Sequence, residues 1–249
     1  MKYLLANFKT NKNWKELQSY FDNLTAYFKK EEKLNSPKTI FFLNNLYILM
    51  TKNKYTNINF GCQSGSQLGN GAFTSSVSLE QQADEKIENI LLGHSEEYEY
   101  FHQTIPTINK KLLKALSLNF KIFLCFGNLN EIENFNDLID ELVEQLGELL
   151  KGVEIGNFKD VVLAYEPIYT IGTGKSMNPT YANDIIKTLK EKLFTNYAHH
   201  FPILYGGSVN VENVSIFFNA PDIDGVLVGK ESLDVNKMEE MISINGRNN

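Results

Sequence analysis

Residues 159–175 read Lys-Asp-Val-Val-Leu-Ala-Tyr-Glu-Pro-Ile-Tyr-Thr-Ile-Gly-Thr-Gly-Lys, and this stretch organises the rest of the chain. Its apolar, β-branched first half predicts a buried strand that ends at one carboxylate, Glu166. A proline follows, and then two glycines, Gly172 and Gly174, that can act as hinges. A rigid strand end followed by a short loop with flexible joints is typical of a lid over a reacting atom. An ordinary glycine-rich turn is the alternative.

The rest of the chain alternates strand-like and helix-like segments in the same way. Strands are predicted at residues 3–8, 38–43, 58–63, 87–93, 120–126, 161–166, 202–205 and 225–228. Helices are predicted at residues 14–33, 46–52, 79–85, 106–118, 132–151, 211–219 and 233–244, and another is opened by Asn178-Pro179. About eight units of about 30 residues each favour one α/β domain over residues 1–249, a closed (β/α)8 TIM barrel.

A doubly wound open sheet is the competing architecture. Such a sheet usually carries a Gly-x-Gly-x-x-Gly turn after its first strand, where it binds a dinucleotide. Here the first strand ends in Asn7-Phe8-Lys9-Thr10-Asn11, which contains no glycine. The barrel is therefore favoured.

Composition narrows the possible partners and compartments. The 249 residues are 43% hydrophobic and carry a net charge of -6, with no basic block of the kind that binds nucleic acid. Cys62 and Cys125 lie far apart in apolar surroundings, which predicts free buried thiols in a reducing compartment. The N-terminal apolar run is too short for a signal peptide, and no run approaches the roughly 20 residues of a membrane span. We therefore expect a soluble cytoplasmic protein without a membrane partner.

Polar side chains follow several of the predicted strands. In a barrel the loops after the strands form the active face, so these residues are candidates for chemistry. Lys9 and Asn7 end the first strand on one face of it, where a cation can meet a phosphate or a developing oxyanion. His94 lies at the end of the fourth strand before a predicted helix start, and the positive end of the helix dipole there favours a neutral ring. A solvated lysine and a histidine that only caps backbone are the alternatives.

The last two strands both end in glycine-containing turns, Tyr205-Gly206-Gly207-Ser208 and Val228-Gly229-Lys230. Glycines let backbone N–H groups converge on an anion, and Ser208 adds a hydroxyl. Phosphate sites at these two loops recur in barrel enzymes. The pair predicts a small phosphorylated substrate, whereas either turn alone is weak evidence.

Five motifs now occur in order along the chain. They are Asn7-x-Lys9, Gly93-His94-Ser95-Glu96, residues 164–175, Tyr205-Gly206-Gly207-Ser208 and Asp224-Gly225-x-Leu227-Val228-Gly229. Together they make the sequence similar to the triosephosphate isomerase family along its whole length. The resemblance implies interconversion of dihydroxyacetone phosphate and D-glyceraldehyde 3-phosphate, a step of glycolysis and gluconeogenesis.

The resemblance also carries over the family's established catalytic roles. It implies that Glu166 moves the proton through an enediolate intermediate, while neutral His94 and Lys9 polarise the oxygens with help from Asn7. Glu96 pairs with Lys9 and orients it in this scheme. No cofactor or metal is implied, because protein groups handle both the proton and the oxyanion.

Phosphate binding and assembly are implied by analogy as well. The backbone around Gly172, Ser208 and Gly229, with Lys230 beside it, holds the phosphate while residues 167–175 close over it. The polar loop 64–76 resembles an arm that family members insert into a second subunit, which puts Thr74 near the neighbour's Lys9. Long loops without regular structure are uncommon unless functional, so we expect a homodimer. A mobile surface loop is the alternative.

The sequence departs from the family pattern at five positions. Glu97-Tyr98 stand where two arginines are usual, which changes the ion pairs that arginines there make. Tyr169 replaces a tryptophan of the lid and Asn128 a glutamate, two positions that can touch when the lid is open. We hypothesise that this pair changed together, replacing one open-state latch with another. Lys230 replaces the second glycine of the phosphate turn.

Two other functions remain open at this point. Another phosphate-binding barrel enzyme, acting on a larger sugar or indole phosphate, needs neither this lid nor a glutamate at this strand end. A non-catalytic barrel, kept as a binding or surface protein, has no need for Lys9, His94 and Glu166 together.

Overall fold

A computed structural model describes residues 1–36 and 38–247 of the chain. Its strands form one closed parallel barrel in sequential order. They are β1 (Tyr3–Asn7), β2 (Thr39–Leu43), β3 (Asn59–Cys62), β4 (Asn89–Leu92), β5 (Lys121–Phe126), β6 (Val161–Tyr165), β7 (Ile203–Tyr205) and β8 (Gly225–Val228). The barrel closes between the first and last strands, where Leu5 pairs with Leu227. The prediction of a (β/α)8 TIM barrel is confirmed.

Helices follow each strand and cover the outside of the barrel. They are α1 (Trp14–Lys30), α2 (Ile48–Lys54), α3 (Leu79–Asp84), α4 (Ser95–Glu99), α5 (Ile105–Ser117), α6 (Phe135–Leu149), α7 (Pro179–Tyr197), α8 (Val211–Asn219) and α9 (Val235–Arg247). Within the described ranges, none of these helices has the length and apolar character that a bilayer span requires.

Two layers of apolar side chains hold the fold together. The barrel interior is filled by inward-facing residues from the strands, which makes it a packed core and not a pore. These residues are Leu5, Ile40, Phe42, Leu91, Phe123, Cys125, Val162, Ala164, Leu204 and Leu227. A larger cluster between the strands and the helices surrounds it. Cys62 and Cys125 are both buried and free, as the sequence predicted.

Side-chain caps decide where several helices begin. The predicted helix 132–151 starts only at Phe135, because the Asn134 side chain accepts hydrogen bonds from the N–H groups of Asn136 and Asp137. Asn178 caps α7 in the same way, with Pro179 as its first residue, as predicted. The five-residue helix α4 begins at Ser95, which agrees with the helix start predicted after His94. Its bounds were not predicted, because too few residues follow His94 to show a helical period.

Candidate active site

A pocket of about 260 Å³ opens at the carboxyl end of the barrel. It is lined from five different loops, among them those that carry Lys9, His94, Glu166, Ser208 and Gly229. The parallel strands bring these residues together because all their carboxyl ends meet at one mouth. Most of the sequence-predicted residues therefore line one pocket. Glu96 lines the neighbouring groove and reaches the pocket through its ion pair with Lys9, and Thr74 lies elsewhere.

Glu166 lies directly after β6 and is only 2% exposed. Its Oε2 accepts a hydrogen bond from the N–H of Ser95 at 3.0 Å, and its Oε1 lies 3.3 Å from Nε2 of His94. Burial raises the pKa of this carboxyl above the ordinary value, while His94, the Ser95 N–H and Lys9 act in the opposite direction. A buried carboxylate with a raised pKa is the kind of group that works as a general base near neutral pH.

The backbone around Glu166 is held tightly. Its N–H donates to the carbonyl of Phe126 at 2.8 Å, which continues the ladder between β5 and β6. Gly127 packs against it so closely that a Cβ there would lie 1.8 Å from the Glu166 carbonyl oxygen. Only glycine fits at this contact, so a side chain at residue 127 would displace the backbone of Glu166.

His94 caps the short helix α4 with its own ring. Its Nδ1 accepts a hydrogen bond from the N–H of Glu96 at 3.3 Å, which assigns the ring proton to Nε2. The ring is then neutral and presents Nε2–H toward Glu166. This geometry agrees with the neutral histidine expected from the sequence.

Lys9 adopts a left-handed backbone conformation, with φ of 51°. Such a conformation is costly for a residue other than glycine and persists where neighbouring contacts enforce it. Its N–H donates to the Oδ1 of Asn7 at 3.0 Å, and its Nζ lies 2.7 Å from Oε1 of Glu96. Asn7 and Glu96 thus hold the lysine at both ends.

Gln63 is a supporting residue that the sequence did not reveal. It follows β3, and its amide N–H₂ lies within hydrogen-bond distance of the Lys9 carbonyl at 2.9 Å and of Asn7 Oδ1 at 3.2 Å. It thereby fixes the strained loop after β1. Its position as a polar residue at the end of a predicted strand could have identified it. It was instead treated as the start of the long loop that follows.

The lid begins with a tight turn at Ile168–Thr170 and contains Gly172 and Gly174, each with φ of 77°. Both glycines occupy the left-handed region that favours this residue type, as expected of hinges. The Ser208 hydroxyl donates to the Thr170 carbonyl at 2.8 Å, which connects the lid to the loop after β7.

The loop after β8 forms the far wall of the pocket. Gly229 precedes a one-turn 3₁₀ helix, Lys230–Leu233, and the Ser232 hydroxyl donates back to the Gly229 carbonyl at 2.7 Å. A Cβ on Gly229 would lie 3.7 Å from Cε of Lys9, so the two loops nearly touch. The first N–H groups of such a turn have no partner inside it, an arrangement that is typical of anion sites at helix starts.

Comparison with known proteins agrees with this geometry. The profile of the family described as triosephosphate isomerase matches residues 2–245.

The chain belongs to the triosephosphate isomerase family.

Individual relatives support the same assignment. The protein named triosephosphate isomerase from Mycoplasma pneumoniae is 34% identical over 250 residues, 98% of each chain. That from Mycoplasma genitalium is 33% identical, also over 98% of each chain. That from Alkaliphilus oremlandii is 38% identical over 193 residues, 76% of this chain and 77% of its own. As a member of this family the chain is an isomerase of the aldose–ketose class.

Two departures from the triosephosphate isomerase pattern lie beside the lid. The Oδ1 of Asn128 accepts a hydrogen bond from the Tyr165 hydroxyl at 2.9 Å, and its side-chain N–H donates to the Asn130 carbonyl at 2.8 Å. Its carbonyl accepts from the N–H of Ile168 at 3.0 Å. Tyr169 instead lies near Glu131 and Tyr181. The side chain of Asn128 therefore holds the strand end, and its described hydrogen bonds do not include Tyr169.

Two further departures form a buried cluster behind His94. An ion pair joins Lys111 Nζ to Glu97 Oε2 at 3.1 Å, and Lys111 also donates to the Ser64 hydroxyl at 2.9 Å. Lys111 and Glu97 are 7% and 9% exposed. Glu97 Oε1 and the Tyr98 hydroxyl are buried and have no hydrogen-bond partner among residues 1–36 and 38–247. The charge of Glu97 is thus compensated by a lysine of α5.

The arm, residues 64–76, projects from the barrel beside the site. Its base is closed by a bridge between Ser66 and Ser78 and by the N–H of Asn70, which donates to Glu80 at 2.9 Å. Thr74 lies exposed near the arm's tip and lines neither this pocket nor the groove beside it. That groove has a volume of about 830 Å³ and includes Lys9, Glu96 and Phe101.

Proposed function

We propose that the chain interconverts dihydroxyacetone phosphate and D-glyceraldehyde 3-phosphate, a step of glycolysis and gluconeogenesis, without a cofactor or metal. The observation that carries this is the buried Glu166 carboxylate, with His94 Nε2 at 3.3 Å and a pocket that also holds Lys9. A base, a neutral hydrogen-bond donor and a cation in one small pocket suit proton abstraction next to a carbonyl.

Glu166 removes a proton from the carbon beside the substrate carbonyl and returns it to the neighbouring carbon. Its Oε2 is bonded to the Ser95 N–H, and its Oε1 faces His94. The carboxylate therefore turns away from Ser95 before it accepts a proton from carbon.

Two groups stabilise the negative charge that develops on the substrate oxygens. The Nε2–H of His94 donates to them in turn and moves the hydroxyl proton from one oxygen to the other. The Lys9 ammonium, with Asn7 beside it, lies 2.7 Å from one oxygen of Glu96, whose other oxygen lies 3.6 Å from Nδ1 of His94. Glu96 orients Lys9 through the 2.7 Å ion pair. Because these groups are fixed before the substrate arrives, little reorganisation is needed as charge develops.

The phosphate binds between the loops after β6, β7 and β8. Backbone N–H groups near Gly172, Ser208, Gly229 and Lys230 surround it, and residues 167–175 close over the substrate. Closure excludes water and strengthens every polar contact within the pocket.

We also propose that two copies pair through the arm. Large apolar side chains are exposed around the groove, with Phe101 at 67%, Leu46 at 71% and Phe73, on the arm itself, at 48%. Clustered exposed apolar residues mark interaction surfaces. The arm of one copy then enters the groove of the other and brings Thr74 toward that copy's Lys9. We further propose one barrel domain and a cytoplasmic location, consistent with a glycolytic family.

A coupled assay with purified protein and glyceraldehyde 3-phosphate tests the activity. The wild type is expected to turn over, and Glu166→Gln to lose about 10²–10⁴ in rate. Glu88→Gln is the matched control, because Glu88 is exposed before β4, at the opposite end of the barrel. Equal rates for the wild type and Glu166→Gln would contradict the mechanism, and inactivity of both would favour a non-catalytic barrel.

Sedimentation tests the assembly. The wild type is expected to run at twice the 28.4 kDa of one chain. Phe73→Glu and Phe101→Glu should shift it toward the monomer, because a charge at either position cannot be buried without a partner. Ile155→Glu is the control, since Ile155 is exposed to 74% away from the arm and the groove. A wild-type monomer would refute the pairing.

A further inference from the structure

Lys230 brings a positive charge to the wall of the pocket where the phosphate is proposed to bind. It is exposed, lines the pocket with Ser208 and Gly229, and starts the turn after β8. Within residues 1–36 and 38–247 its ammonium forms no salt bridge. Lys230 stands where the family pattern has the second glycine of the phosphate turn, so it adds a charge that glycine would not supply.

The other charges at this wall are already compensated. Lys9 lies 2.7 Å from Glu96, and Glu231, the neighbour of Lys230, lies 2.8 Å from Lys237. Of the described lysines that line the pocket, Lys230 is therefore the one without a carboxylate partner. A phosphate dianion can therefore pair with the Lys230 ammonium without breaking an existing ion pair.

The lysine side chain leaves the backbone site intact. Lys230 is absent from the left-handed residues of the described chain, so its φ carries no strain. As the first residue of the 3₁₀ turn, it has a main-chain N–H with no acceptor inside that turn. The side chain thus adds to the backbone site and replaces nothing in it.

We infer that the Lys230 ammonium contacts the substrate phosphate and strengthens binding of phosphate dianions in this pocket, in addition to the Lys9 ammonium that faces the reacting oxygens. The identity of the substrate in this inference rests on the proposed isomerase function. The binding of an anion rests only on the charges of the pocket. The exposed position makes the contribution modest and sensitive to salt, because exposed charges are screened and added salt shortens the distance over which they interact. The electric field of this unpaired cation also raises the rate at which phosphate dianions reach the pocket.

Lys230→Met tests it, with Lys230→Arg as the rescue variant. Lys192→Met is the matched control, since Lys192 is exposed toward the far end of α7. The readouts are the dissociation constant of inorganic phosphate by calorimetry and, separately, KM and kcat for glyceraldehyde 3-phosphate at low and high salt.

Lys230→Met is expected to weaken phosphate binding and raise KM by about two- to fivefold, with kcat nearly unchanged. The change should disappear at high salt and be absent in Lys230→Arg and Lys192→Met. If Lys230→Met matches Lys192→Met in both readouts at low salt, the inference is wrong even though the isomerase works. If Lys230→Met weakens phosphate binding but the wild type does not isomerise, the proposed function fails and the anion site stands.

Discussion

Nε2 of His94 lies 3.3 Å from Oε1 of Glu166, although the two residues are 72 positions apart in the sequence. The contact joins the ends of β4 and β6 across the mouth of the barrel. Nδ1, on the other side of the ring, accepts a hydrogen bond from the Glu96 N–H, so the ring proton is on Nε2. The histidine is therefore the donor in this contact and Glu166 the acceptor. A buried base and a neutral donor therefore face each other before any substrate enters.

Burial of Glu166 predicts a pH dependence of stability. Its folded-state pKa is raised by desolvation, so its contribution to stability is fully present below the unfolded-state pKa. That contribution is lost as the pH rises through the folded-state pKa. The wild type should therefore gain stability relative to Glu166→Gln as the pH falls from neutral, measured by urea unfolding at several pH values. A constant difference between the two proteins across this range would contradict the raised pKa.

The buried ion pair between Glu97 and Lys111 predicts a strong effect of removing one partner. Lys111→Met leaves the Glu97 carboxylate buried without compensation, which should cost about 3–5 kcal/mol in urea unfolding. The double variant with Glu97→Gln should lose much less than the sum of the two single changes. Lys151→Met is the comparison, because the Lys151–Glu148 pair is exposed and is expected to contribute under about 1 kcal/mol. Additive losses in the double variant would mean that the pair is not coupled.

The unpartnered hydroxyl of Tyr98 predicts that Tyr98→Phe is neutral or stabilising, by up to about 1 kcal/mol. The change keeps the ring and removes a buried polar atom that has no hydrogen bond within the described part of the chain. Tyr165→Phe is the matched control, since its hydroxyl donates to Asn128 at 2.9 Å and its loss should cost about 1 kcal/mol. If Tyr98→Phe destabilises as much as Tyr165→Phe, the Tyr98 hydroxyl has a partner such as a buried water.

The contacts beside the lid predict that changes at Asn128 and at Tyr169 affect lid motion to different extents. Asn128→Ala breaks the bond to Tyr165 beside the lid's first turn, so lid motion, followed by relaxation dispersion, should change more than after Tyr169→Phe. Tyr169→Trp should also alter lid kinetics if the two positions changed together. Unaltered kinetics in Tyr169→Trp would end the hypothesis of a paired replacement.

Residues at strand ends were the part of the site that the sequence predicted well. Each parallel strand delivers its last residues to one mouth, so Lys9, His94 and Glu166 could be placed together from their positions alone. The glycines of the lid followed from hinge chemistry, and Gly172 and Gly174 do adopt the left-handed conformation.

Contacts between loops could not be predicted in the same way. The bonds from Gln63 to the loop after β1, and from Tyr165 to Asn128, depend on side chains that meet only after the barrel closes. The same is true of Glu97. The sequence showed that Glu97 departs from the family pattern, but it did not show that Lys111 is its ion-pair partner. Local sequence carries no signal for a lysine 14 residues away that packs from another helix.

Isomerisation of glyceraldehyde 3-phosphate in deuterium oxide tests the central claim most directly. If Glu166 accepts the proton from carbon 2 and delivers a proton to carbon 1, dihydroxyacetone phosphate should carry deuterium, seen by NMR, at carbon 1 only. The labelled fraction equals the fraction of turnovers in which the Glu166 proton exchanges with solvent, and the other molecules keep the substrate's own hydrogen. In Glu166→Gln both the product and its deuterium should form about 10²–10⁴ more slowly, while Glu88→Gln matches the wild type. Product formed by Glu166→Gln at the wild-type rate, or deuterium at a carbon other than carbon 1 of the product, would contradict the account.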